Sequence, residues 1–179
     1  DDLALKADQA DLVQLESDVE QLAYVKIKNE VVNGNFENGL IAPFRKTDGS
    51  GGASTLAINS STPISGNYDA RLTIITPAES IYGHRPIFYG LDGAANIGDK
   101  IYLHFYAKIL SGMPNIHSIH DGAIATQIYA GDVINGRNTR IIDVGGIDAN
   151  LGRIYFSSPS VWDMQMDNFM RINLTETFG

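Results

Sequence analysis

From Leu12 onward an apolar residue returns every three or four positions. Leu5, Leu12 and Val19 take heptad position a, and Leu15 and Leu22 take position d. Asp8 occupies the d position of the first heptad, so the front of the stripe is weaker than its middle. Asp2, Lys6, Asp11, Gln14, Glu16, Asp18, Glu20 and Gln21 surround it and suit a solvated helix face. Ala7, Ala10 and Ala23 do little to widen the apolar strip. A seam this narrow suits a coiled coil better than the broad face of a helix docked on a globular core. A helix of about 20 residues is about 30 Å long and marginal alone in water. Residues 1–25 are therefore expected to form an intermolecular stalk. The alternative is an amphipathic helix lying on its own domain.

The next a position is Lys26, which ends the pattern, and residues 26–179 hold enough chain for one full-core domain. With 44% hydrophobic and 19% charged residues, the chain is not compositionally disordered. No apolar run approaches the ~20 residues of a membrane span. The absence of cysteine excludes disulfides and thiolate metal sites and leaves the compartment open. Net charge is −8, much of it in the first 30 residues, where eight acids face three bases. No Lys/Arg cluster occurs, so nucleic acid and anionic membrane surfaces are disfavoured partners. The opening at Asp1, without an initiator Met, leads us to expect a fragment of a longer protein.

Beyond the stalk the chain breaks into short β-rich runs between Gly, Pro, Ser and Asn. Two Asn-Gly steps fall within residues 33–39 and mark turns, with Phe36 between them as a core anchor. Strands are expected at Ser54–Ile58, Ala70–Ile75, Ile87–Leu91, Lys100–Ile109, Ala123–Tyr129, Arg140–Val144, Gly152–Phe156 and Asp167–Leu174. Lys46–Gly52 and Gly131–Asn138 read as loop tips. In the longest run Ile101, Leu103, Phe105 and Ala107 alternate with Tyr102, His104 and Tyr106. Eight or so such strands argue for a sandwich or barrel.

Three stretches resemble known proteins. Asn29–Gly39, with its Asn-Gly-Asn-Phe-Glu core, resembles the opening strand of jelly-roll carbohydrate-binding modules. Gly98–Lys108 looks like their central aromatic-rich strand, and Met166–Gly179 like their closing strand. The tail Asn173–Gly179 is similar to a phrase common in tail, baseplate and fibre proteins of phages infecting Gram-positive bacteria. These modules carry Trp shortly after the opening motif. Here Phe44 stands in its place, which suits the same core slot but makes the family's ligand less safe to transfer. The resemblance implies a jelly-roll β-sandwich head behind the coiled-coil stalk. It further implies a homotrimeric virion protein, acting outside the cell, whose heads attach to host cell-wall saccharide. Other tail proteins would join it through an N-terminal part beyond this chain. The alternative is a purely structural scaffold or docking platform, and a wall depolymerase stands behind both.

Saccharides need flat aromatic faces for C–H edges and polar groups for hydroxyls. Candidates are Tyr82, His84, Arg85, Tyr89, Tyr102, His104, Tyr106, Tyr129 and Trp162. Tyr102, His104 and Tyr106 share a strand face, which either lines a groove or packs on a neighbour. Trp162 is either a platform or a core residue. In the resembled modules a structural calcium sits between the opening and closing strands, where Glu37 and Asp167 match its carboxylates. The alternative is that both are ordinary acids. His117, His120 and Asp121 could hold a metal on a helix, but Gly112, Pro114 and Gly122 favour a solvated loop. Asp143, Asp148 and Asp163 are available acids, yet nothing pairs them as glycosidase catalysts require. No nucleophile elbow, phosphate loop or dinucleotide fingerprint occurs, so no enzymatic activity is expected.

Overall fold

A computed structural model describes residues 29, 31–48, 51–77, 84–89, 95–121, 131–144, 152–157 and 160–178, without the side chains of 84–89, 117, 118, 120, 121, 152 and 157. The expected stalk and the expected strand at 123–129 lie outside the described residues.

The described strands are β1 (Arg45–Thr47), β2 (Ala53–Asn59), β3 (Asp69–Thr76), β4 (His84–Tyr89), β5 (Lys100–Ser111), β6 (Asn115–Asp121), β7 (Gly131–Asp132), β8 (Gly136–Asp143), β9 (Gly152–Ser157) and β10 (Asp163–Asn173). A short helix, α1 (Leu174–Phe178), follows. The strands form two antiparallel sheets, ordered β1-β4-β9-β6-β7 and β2-β3-β10-β5-β8. Alternation along the strands puts one face of each sheet inside. Ile116, Ile119, Ile154 and Phe156 enter the core from the first sheet. Leu72, Ile101, Leu103, Phe105, Met164 and Met166 enter from the second. Burying each such side chain contributes about 1.5–3 kcal/mol, so the two faces hold the sandwich together.

The opening motif is a run of turns rather than a paired strand, which corrects the expectation for Asn29–Gly39. Phe36 N donates to Asn33 O at 3.1 Å, and Gly39 N to Phe36 O at 2.8 Å. The turns drive Phe36 inward, fully buried, against Phe44 and Phe169 at ring-centroid distances of 4.9 and 6.1 Å. Phe44 is itself a core residue. Gly34 is required here because a Cβ would stand 2.2 Å from the Phe169 carbonyl oxygen. That close approach lets Phe169 N donate to Gly34 O at 2.8 Å and ties the motif to β10.

Three further expectations are corrected. Residues 117–121 belong to β6, paired with β9, and not to a solvated loop. Lys46 and Thr47 lie in β1. Gly131–Asn138 contains β7 and the start of β8.

Candidate functional site

β5 is the centre of the site. It pairs with β10 on one side and β8 on the other. Its core-facing residues fix the opposite parity outward, so Tyr102, His104, Tyr106 and Lys108 fall on the outer face of the second sheet. The three rings stand edge to face in a ladder. Tyr102 and His104 are 5.6 Å apart at 81°, and His104 and Tyr106 are 6.1 Å apart at 86°. His104 sits low between its neighbours, only 9% exposed, while Tyr106 reaches 37%. Arg137 of β8 donates to the Tyr102 hydroxyl, which lies 3.2 Å from His104 Nδ1. Its guanidinium carbon stands 5.9 Å from the Tyr102 ring centroid, in cation–π range. Burial pushes the His104 imidazole below its ordinary value, and Arg137 adds to this against the Asn168 backbone. His104 is thus a neutral polar group at neutral pH.

His104 and Tyr106 line a cleft of about 460 Å³ whose other walls include Asn29, Asn33, Asn35, Asn168 and Met170. Two of these amides hold the fold. Asn33 Nδ2 donates to the carbonyls of Leu40 and Ala42 at 2.8 and 2.9 Å. Asn29 donates to Phe169 O and accepts from the N–H groups of Val31 and Arg171. The other two keep spare capacity among the described residues. Asn35 uses its carbonyl oxygen to accept from Glu37 N, which leaves its Nδ2 as a donor. Asn168 donates to Ser65 Oγ and Asp167 Oδ2, which leaves its carbonyl oxygen as an acceptor. A ring, a neutral imidazole, an amide donor and an amide acceptor therefore border one cleft.

A strap at residues 60–68 covers the neighbouring part of the same face. Gln165 Nε2 donates to Thr62 O at 2.9 Å, and Ile64 N donates to Asp69 at 2.8 Å. Glu37 accepts from Asn67 N and Tyr68 N. Burial opposes the charge of Glu37, but these donors outweigh it and hold the carboxyl below its usual value. Asp69 and Asp167 are fully buried. Burial pushes Asp167 up, against hydrogen bonds from Ser65 and Asn168, and the nearby Asp69 and Glu37 push it further. Burial also raises Asp69, against bonds from Asn59 and Ile64 and the fields of Lys108 and Arg71.

Glu37 and Asp167, the expected calcium ligands, thus lie close enough to repel. They offer the hard oxygen donors calcium takes, and Asp167 makes no ion pair among the described residues. The described residues contain no cluster of three or more His, Asp or Glu able to hold a metal, so these two acids are the carboxylate donors the site offers.

The other sequence candidates do not join the ladder. Tyr82 and Tyr129 lie outside the described residues. His84, Arg85 and Tyr89 belong to β4, in the opposite sheet, which separates them from the outer face of β5. Trp162 is a core residue, 1% exposed and 5.7 Å from the Phe156 ring, so it offers no platform. Sequence reasoning missed Asn35, Asn168 and Arg137. The Asn-rich opening motif was a signal for the first; the other two depend on register.

No protein-family model and no curated protein matches the chain. Solved structures share its fold. An α-L-arabinofuranosidase, in an arabinose-bound crystal, superposes at TM-score 0.60 with 10% identity, over 83% of this chain and 27% of its own. The carbohydrate-binding module CBM4 superposes at 0.53 with 14% identity, over 80% of this chain and 99% of its own. The module TmCBM61, in complex with β-1,4-galactotriose, gives 0.50 with 14% identity, over 82% and 99%. This chain spans only about a quarter of the arabinofuranosidase but nearly the whole of each module. The described residues therefore carry the β-sandwich fold of carbohydrate-binding modules.

Proposed function

We propose that this domain binds a saccharide on the outer face of the second sheet. The supporting observation is the exposed Tyr106, at the end of the aromatic ladder and beside the spare amide groups of Asn35 and Asn168. A tyrosine face takes the C–H side of a sugar ring while amides and imidazole take hydroxyls. The module-like fold supports the same reading. Titration calorimetry against a panel of soluble glycans tests it; heat with at least one glycan, at an affinity about tenfold weaker in Tyr106→Ala, is expected. Silence across the panel would reject it.

The finer reading is a phage fibre or baseplate subunit whose trimeric heads attach to host cell-wall glycans. It rests on the heptads of residues 1–25 and on the tail phrase. Weak single sites gain through avidity when several heads share one stalk. Sedimentation of the full chain is expected to give a trimer, and Leu15→Asp is expected to give a monomer. A monomeric wild type would remove the stalk from the proposal. The role is binding without turnover, so incubation with purified wall polymer should release no product.

A second reading is a docking platform for another tail protein. It is favoured by Ile141, which is 53% exposed and opposite Tyr102 in register. A structural calcium at Glu37 and Asp167 is part of the proposal as well; the support for it is the repulsion between these two carboxylates.

A further inference from the structure

We propose that the saccharide is acidic, carrying carboxylate or phosphate groups, and that Arg137 reads its charge. This rests on the saccharide reading above and adds the ligand's chemistry.

Arg137 is exposed and stands opposite Tyr106 across the β5–β8 ladder, so its side chain shares the ladder's face. Its hydrogen bond to the Tyr102 hydroxyl occupies part of a fork with five N–H donors. The fork is thus oriented by the protein and still has donors to give. A planar, oriented guanidinium matches a carboxylate or phosphate two bonds at a time. A neutral sugar has no group of that shape.

Among the described residues no acid pairs with it. The ion pairs among the described residues are Lys46–Asp48, Arg71–Asp163 and Lys100–Asp143, and Arg137 takes part in none. Lys108, two residues beyond Tyr106 on the same face, is exposed and in no pair either. The acids of this face are already engaged. Asp143 pairs with Lys100, Asp163 pairs with Arg71, and Asp69 and Asp167 are buried beside the strap. The chain carries a net charge of −8, so acids for pairing are plentiful elsewhere. Among the described residues, the exposed cations beside the ladder that lack an ion-pair partner are Arg137 and Lys108, while the Glu37 carboxylate is held by the N–H donors of the strap.

The full chain is titrated with three probes: an oligomer of a uronic acid, the same oligomer after carboxyl reduction, and the reduced oligomer phosphorylated on its hydroxyls. At least one anionic probe is expected to bind about tenfold tighter than the reduced oligomer. That advantage should shrink as salt rises from about 0.05 to about 0.5 M. Arg137→Gln should erase it while weakening the reduced oligomer far less, with the cooperative unfolding of the domain retained, and Arg137→Lys should restore part of it. Which anion binds tells carboxylate from phosphate. Equal binding of charged and reduced oligomers, or equal losses for both in Arg137→Gln, overturns the acidic ligand and leaves the saccharide reading standing. Binding of no saccharide at all overturns both.

Discussion

Ser65 donates its hydroxyl to Asp167 at 2.6 Å across 102 residues of chain. This bond belongs to the set that pins the 60–68 strap over β3 and β10. The strap reaches the cleft at Asn168, whose Nδ2 donates to Ser65 Oγ at 3.0 Å. The strap thus helps set which part of the sheet stays open to ligand. It also buries two carboxylates whose neighbours are partly acidic.

The pH dependence follows from that burial. Asp167 has its carboxyl raised in the fold by burial and by Asp69 and Glu37. A carboxyl raised on folding contributes stability that is complete below its unfolded value, near about 4, and lost as pH rises through the folded one. Ionised Asp167 therefore opposes folding at neutral pH. Asp167→Asn is expected to raise the melting temperature at pH 7 in the absence of divalent ions. The gap should close, or reverse, toward pH 3. Thermal unfolding in EDTA across that range checks it, and a variant destabilised at every pH would contradict the electrostatic account.

Calcium acts on the same charge. A divalent ion at Glu37 and Asp167 would offset their mutual repulsion and stabilise the folded state in proportion to its occupancy. Added calcium is expected to raise the wild-type melting temperature at pH 7, and excess chelator to reverse it. Asp167→Asn and Glu37→Gln should each lose the response. A wild type indifferent to calcium would mean that the N–H donors of the strap satisfy these acids alone.

Asn173 joins the end of β10 to α1. Its Oδ1 accepts from Glu176 N at 3.0 Å, capping the helix, and its Nδ2 donates to Asp99 at 2.8 Å inside the protein. Asn173→Ala loses a cap worth about 1 kcal/mol and also strips a hydrogen bond from the Asp99 carboxylate. Asn173→Asp keeps the cap but sets a second carboxylate against Asp99. It should be worse at pH 7 than at pH 4, where protonation relieves the repulsion. Urea unfolding at the two pH values separates the variants.

Much of this fold is written in local pattern. The alternation of Ile101–Ala107 placed Tyr102, His104 and Tyr106 on one face, Phe36 was legible as core from the turn motif around it, and Phe44 from the resemblance that sets it in the modules' Trp slot. Other parts depend on partners far along the chain. β1 and β7 have three and two residues and exist only because β4 and β6 offer free edges. Residues 117–121 looked like a loop because Gly112, Pro114 and Gly122 flank them, yet pairing with β9 overrides that punctuation. The residues beside Trp162 leave platform and core equally open, and the Gly112 turn closes over it. A Cβ on Gly112 would stand 2.7 Å from the Trp162 Cβ. Arg137 enters the site only through the register of β8, which no local signal encodes.

Phe105 and Tyr106 are adjacent on β5 and should fail in opposite ways. Phe105 is 2% exposed and stacks on Phe169 at 5.1 Å and 15°. Phe105→Ala opens a cavity among rings that cannot close over it and should cost about 3–5 kcal/mol. Tyr106 faces outward and has no hydrogen bond among the described residues, so Tyr106→Ala should unfold within about 0.5 kcal/mol of wild type. Its loss removes the ring on which the sugar rests, and glycan affinity should fall about tenfold, equivalent to about 1.4 kcal/mol. Tyr106→Phe keeps the ring and should retain most of the binding. Urea unfolding and glycan titration on the three variants give the result. A Phe105→Ala protein as stable as wild type would contradict its core role, and a Tyr106→Ala protein that binds as wild type does would place the sugar away from this face.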